Sequence, residues 1–245
     1  MTNNPFNRGA DTAGIERLGI DAGLRSHMLK IYNYMGLGVA VTGLMAWLIA
    51  NTPAFYEVFY NATTRSPTIF GMIAMFAPLA FILFISFASQ RSSASTLQTM
   101  FWAFCAVMGI SMSSVFMIYT SVSIANTFFV VAAMFAVTSL WGYTTKADLS
   151  KMGSFLMMAL IGIVIAGIVN IFLKSSMLHF VTSAIGVVVF TGLTAWDTQR
   201  IKDTYSEGFG EETNNKMAIL GALNLYLNFV NLFQMMLQFM GSRRD

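Results

Sequence analysis

Residues 92–145 read SSASTLQTMFWAFCAVMGISMSSVFMIYTSVSIANTFFVVAAMFAVTSLWGYTT, fifty-four positions without an Asp, Glu, Lys or Arg. About 20 apolar residues carry a helix across a bilayer, so this stretch is long enough for two crossings and a turn. Its most polar break is Tyr119-Thr-Ser-Val-Ser-Ile-Ala-Asn126, which places the turn there. Five more charge-free runs lie on either side: Ile31–Tyr56, Ser66–Gln90, Met152–Leu173, Ser175–Trp196 and Met217–Ser242. Each is long enough for one crossing. The expected cores are 32–50, 68–88, 99–119, 124–143, 153–173, 180–199 and 217–240, seven transmembrane helices in all. Strands of a membrane barrel alternate polar and apolar residues. These runs are continuous, so the fold class is an all-α integral membrane bundle.

Composition agrees. Of 245 residues, 56% are hydrophobic and 10% are charged, against about 25% charged in soluble proteins. Mean hydropathy is +0.64. So few charges cannot cover a water-facing globule of this size, which excludes a soluble enzyme, a nucleic-acid binder and a disordered chain. The lone Cys105 excludes an internal disulfide and a cysteine metal cluster. His27 and His179 are far apart and no HExxH pattern occurs, so neither a metal nor another cofactor is expected.

Residues 1–30 read as a cytoplasmic arm, unstructured to about Ile20, with 14–30 as a short amphipathic helix lying on the membrane. Residues 31–241 form the transmembrane domain and 242–245 a short tail. The first run is a signal anchor rather than a cleaved leader, because thirty polar residues precede it. Lys and Arg set orientation. The side holding the arm and the loops after spans two, four and six carries Arg8, Arg17, Arg25, Lys30, Arg91, Lys146, Lys151, Arg200, Lys202 and Lys216. The other side carries Arg65, Lys174, Arg243 and Arg244. Ten against four puts the N-terminus in the cytoplasm, although Arg243 and Arg244 lean the other way. Six spans and a re-entrant helix would instead bring the C-terminus inside.

Polar residues within the runs carry the functional content. Asp197 closes the sixth run, in Phe190-Thr-Gly-Leu-Thr-Ala-Trp-Asp-Thr-Gln-Arg-Ile-Lys202. It lies about 8 Å toward the bilayer from Lys202 at 1.5 Å per residue. Burial and a neighbouring cation act on such a carboxyl in opposite senses, which makes it tunable by pH. The plainer reading is an interfacial acid paired with Arg200 or Lys202. On the seventh run, Asn224, Asn228, Asn231 and Gln238 share an arc of about 80°, which Gln234 widens to roughly 120°. A polar stripe cannot face lipid cheaply, so it is either interhelical glue or the wall of a polar pathway. Gly162, Ala166 and Asn170, four residues apart, read as a close-packing stripe on the fifth span. The nineteen methionines read as soft core filling. Asn61-Ala-Thr63 is a sequon of no weight in a bacterium. Ser111 with His179 is a poor protease pair, and the seventh span has no lysine for a Schiff base. The chain is therefore not expected to be an enzyme.

The segment Trp196-Asp-Thr-Gln-Arg-Ile-Lys202 and the later Ala222-Leu-Asn-Leu-Tyr-Leu-Asn-Phe-Val-Asn-Leu-Phe233 resemble the two most specific signatures of the Bax inhibitor-1 family. Met28-Leu-Lys-Ile-Tyr-Asn-Tyr-Met-Gly-Leu-Gly38 resembles its first helix, and the likeness covers roughly 25–241. The bacterial branch is nearest in style. The resemblance implies six helices around a central seventh. It also implies a pH-sensitive calcium leak, and for some bacterial members association with a membrane-bound protease. It implies the inner membrane of a bacterium, or the endoplasmic reticulum membrane in a eukaryote. In the family, aspartates on helices six and seven form a proton-sensing pair. The first falls on Asp197 and the second on Asn228, so one acid is missing here. A family arginine near the inner end of helix two latches the helix-six aspartate, and Arg91 stands at about that place. If helix seven begins near Lys216, Asn228 lies about 18 Å deep. Contact with Asp197 then requires helix seven to start outside the hydrocarbon, or helix six to run past Lys202.

Overall fold

The computed structural model describes residues 5–61, 63–64 and 66–244, with side chains from Ala22 onward. The long helices are α1 (Pro5–Asn51), α3 (Ile69–Ala88), α4 (Ala94–Met112), α6 (Ser121–Thr144), α7 (Ser150–Leu173), α8 (Ser176–Thr204) and α9 (Gly210–Met240). The short ones are α2 (Pro53–Phe59) and α5 (Val115–Ile118), with one 3-10 turn at Glu207–Phe209. Seven helices, from Ala22–Asn51 to Glu207–Met240, are long and apolar enough to cross a membrane.

Three boundaries differ from expectation. The first span belongs to one unbroken helix that already includes Lys30. No proline or glycine interrupts 25–34, so nothing there separates a surface helix from the span. Residues 5–20, expected to be unstructured, lie in this same helix, and residues 1–4 fall outside those described. Between the third and fourth spans the turn falls at Tyr119–Thr120, not across 119–126. Ser121, Ser123 and Asn126 lie in the first turns of α6, where Thr120 Oγ1 accepts from Ser123 N at 3.3 Å. Hydroxyl residues cap helix starts as readily as they break helices. Ser93 and Ser175 do the same for α4 and α8. The third boundary is that of α9, which begins at Gly210 and not near Lys216.

α9 is the centre of the bundle. Of its most apolar window 67% is buried, against 11–39% in the other spans. Its wall consists of α1, α4, α6 and α8, while α3 leans on α4 and α7 on α8 one layer farther out. The expected ring of six is therefore uneven. Tyr226 anchors the middle of α9, fully buried against Phe101 and Phe104, its hydroxyl 2.6 Å from Thr42 Oγ1. The outer faces of α3 and α7 present Phe76, Phe87, Ile161, Ile165 and Phe172 outward. Exposed apolar surface on that scale marks contact with lipid.

The small-residue stripe on α7 is not a packing face. Gly162 is exposed, and a Cβ built on it would meet nothing within 4 Å. A small-residue spacing works only where another helix comes close, and α7 meets α8 near Gly153 instead, against the Trp196 indole. Two spans approach closely at backbone level between α6 and α8, where a Cβ on Gly142 would overlap the carbonyl of Ala195. Backbone cannot rotate aside as a side chain can. Gly142→Leu is therefore expected to part α6 from α8 at a cost of about 1–3 kcal/mol or more. The folded monomer should disappear from size-exclusion chromatography in detergent, whereas Gly162→Leu should elute as the parent does.

Candidate functional site

α8 and α9 run antiparallel, and three contacts fix their register. Asn228 Nδ2 donates to Asp197 Oδ2 at 2.8 Å. Met235 packs into the space left by Gly186. Ser183 Oγ donates to Gln238 Oε1 at 3.0 Å. In this register Thr204, the last residue of α8, stands level with Gly221, and both border one small cavity. The first turns of α9 thus project beyond the end of α8. One condition for a contact between 197 and 228 is met, since α8 continues past Lys202 to Thr204, and α9 begins at Gly210, before Lys216. The stretch Gly-Glu-Glu-Thr-Asn-Asn looks like a loop by polarity, yet Glu211 and Glu212 in the first turn favour the helix through its dipole. Glu212 Oε1 also accepts from Ala94 N at 2.8 Å, tying this projecting turn to the start of α4.

Asp197 is 7% exposed and Asn228 6%. The second carboxylate oxygen of Asp197 lies 3.3 Å from Arg200 Nη2, one turn along the same helix. The Arg200 guanidinium also sits 4.8 Å over the Trp196 ring. The acid is therefore satisfied by one amide from across the interface and one cation from its own helix. Arg91, expected as the latch, occupies the turn between α3 and α4, where its backbone N–H bonds to Ala88 O. Among the described residues its side chain makes no ion pair, and Arg200 holds the place assigned to it. An i, i+3 spacing brings that arginine to the acid without any help from tertiary structure.

The amide stripe divides along α9. Asn224 borders a cavity of about 150 Å³ with His27 and Arg200. Asn228 meets Asp197. Asn231 is half-buried, and among the described residues its side chain has no hydrogen-bond partner. Gln234 and Gln238 border a larger cavity of about 400 Å³ at the opposite end of α8. Two amides, Asn228 and Gln238, are interhelical glue, while Asn224 and Gln234 face open space. Between the cavities Val189, Phe190 and Leu193 of α8 are buried, and Met235 of α9 fills the space beside Gly186.

Several polar contacts near the site were not legible in the sequence. Tyr32 Oη lies 2.6 Å from Ser139 Oγ, which lies 2.9 Å from Thr198 Oγ1, beside Asp197. This chain of hydroxyls links α1, α6 and α8. Lys202 Nζ donates to Tyr143 O at 2.9 Å, so it is engaged away from the acid. Single Ser, Thr and Tyr residues in apolar helices carry no periodic signal that would single them out.

A protein-family model described as "Inhibitor of apoptosis-promoting Bax1" matches residues 24–245. The chain belongs to the Bax inhibitor-1 family. It is 46% identical over 225 residues to the protein RP147 of Rickettsia prowazekii, covering 92% of this chain and 93% of that one. A Caulobacter vibrioides protein is 42% identical, over 99% of this chain and all of its own length. The inner membrane protein YbhL of Escherichia coli is 44% identical, covering 91% and 94%. As a Bax inhibitor-1 family member the chain is a multi-pass membrane protein, and its bacterial relatives include an inner membrane protein.

Proposed function

We propose that this chain is a pH-responsive leak for cations such as calcium, held shut by the contact of Asp197 with Asn228. The observation that carries the reading is a buried carboxylate at the α8–α9 interface, with a cavity toward either end of that interface. Ionised, Asp197 holds Asn228 and Arg200 together by charge-assisted hydrogen bonds, which are the strong kind. A proton removes the charge, releases Arg200 and loosens α8 from the central helix. The two cavities then need only the Gly186–Met235 contact and the buried layer beside it to part. The site offers one carboxylate, while calcium prefers six to eight oxygens, so an ion passes it rather than resting there. Flux of calcium from proteoliposomes should rise on acidification, and flux that is absent or flat with pH overturns the reading.

A second reading rests on the sealed apolar layer between the cavities: a non-conducting regulator that binds a membrane-bound protease. Calcium flux separates the two. For either, we place the chain in a bacterial inner membrane with its N-terminus in the cytoplasm. Reporter fusions after Lys30 and Lys151 should then read cytoplasmic, and one after Arg244 external. A cytoplasmic reading after Arg244 reverses that assignment.

A further inference from the structure

The less basic end of the bundle carries Arg243 and Arg244, two cations that work against the orientation set by the other end. The structure gives them another use. The segment after α9 folds back as a short extended strand against the α5–α6 turn. Thr120 N donates to Ser242 O at 3.1 Å and Arg244 N to Ile118 O at 2.8 Å. Ser242 N donates to Ser123 Oγ at 2.9 Å, and Arg244 Nη1 to Phe116 O at 2.9 Å. Four hydrogen bonds thus pin Ser242 and Arg244, and the pinned strand sets Arg243 between them at the rim of the cavity of about 400 Å³. Ser111, Tyr119, His179, Gln234 and Gln238 also line it, and no Asp or Glu is among its lining residues.

We propose that this cavity binds a phosphate group. One guanidinium beside neutral amide, hydroxyl and imidazole groups, with no carboxylate, suits an oxyanion and repels a metal cation. The half-buried Gln234 lines the cavity and has no hydrogen-bond partner among the described residues, which leaves its amide hydrogens free for a ligand oxygen. Gln238, 3.0 Å from Ser183 Oγ, adds a second amide to the cavity wall. The apolar side of the cavity, with Met75, Ile118 and Leu237, accommodates the carbon skeleton of a phosphate ester. The phosphate has two sources, a lipid headgroup of the adjacent leaflet or a free anion.

Binding is read without flux, so it stands or falls apart from the proposed gate. The full chain in neutral detergent is titrated with inorganic phosphate against chloride at equal ionic strength. A second titration compares short-chain phosphatidylglycerol with the phosphate-free diacylglycerol of the same chains. The expected result is a saturable rise in Tm with a phosphate-bearing probe and none with its control. Arg243→Gln and Gln234→Leu should each weaken the apparent affinity roughly tenfold or more, the scale of one lost hydrogen bond to a charged group. A rise with the lipid alone identifies the headgroup as the source, and a rise with inorganic phosphate the free anion. Should Arg243→Gln fail to fold, Gln234→Leu carries the test alone. No saturable rise from either probe, a rise that survives both substitutions, or protection by calcium in place of phosphate overturns the proposal.

Discussion

Asp197→Asn should flatten the pH response of calcium flux in proteoliposomes while the protein still inserts and runs as a folded monomer. Asparagine has the shape of the protonated acid and keeps a hydrogen bond to Asn228, but it loses the ion pair with Arg200 at 3.3 Å. Hydrogen bonds to charged groups contribute about 1.5–3 kcal/mol, so the closed state should lose roughly ten- to hundredfold of its advantage. The leak should then run near its acid level at every pH. Arg200→Gln should reproduce part of this, because it removes the same cation from the other side. Arg91→Gln should leave the pH profile as it was, since that arginine is not at the acid. A profile moved by Arg91→Gln and untouched by Arg200→Gln would overturn the assignment of the latch. An unchanged profile in Asp197→Asn would make the residue an ordinary interfacial acid.

The seven crossings were legible because absence of charge accumulates over twenty residues, and no single position decides it. Five of the seven expected cores fall inside observed spans, and 68–88 and 99–119 each overrun theirs by one residue. The pairing of Asp197 with Asn228 was legible only through family likeness. Its geometry was not, because depth depends on where α9 starts, and Glu211 and Glu212 read as loop residues by polarity. The arginine paired with Asp197 is Arg200 and not Arg91, for a related reason. Arg91 was placed by analogy, whereas Arg200 follows from the three-residue spacing to Asp197 on one helix. The stripe at Gly162 failed because small residues pack only where a partner is present, and the partner's position is a tertiary fact. The packed layer near Met235 and Gly186 was hidden too, since methionine in an apolar helix looks like filling whatever it touches.

Asn228→Asp should restore a two-carboxylate site and change the shape of the pH response, not merely its size. The donor and acceptor at this contact are 2.8 Å apart, and both residues are buried. Two carboxylates at that separation cannot both ionise with Arg200 as the one cation in contact, so they hold one proton between them and titrate as a pair. The flux should therefore switch over a narrower pH interval than in the parent. Once both acids ionise, the site gains a second hard oxygen ligand, and calcium should slow its own passage by lingering there. The competing outcome is a bare cost of about 2.5–3.5 kcal/mol for an acid in a span, seen as low yield with an unchanged profile. The swap Asp197→Asn with Asn228→Asp distinguishes these. It keeps one acid and one amide at the same contact but moves the charge to α9, away from the i, i+3 position that Arg200 serves. If the contact itself is the switch, the swapped protein should regain a pH response that Asp197→Asn alone lacks, weaker than the parent's because Arg200 is no longer one turn away. A swapped protein as flat as Asp197→Asn would mean that the pairing of α8 with α9 does not gate the leak.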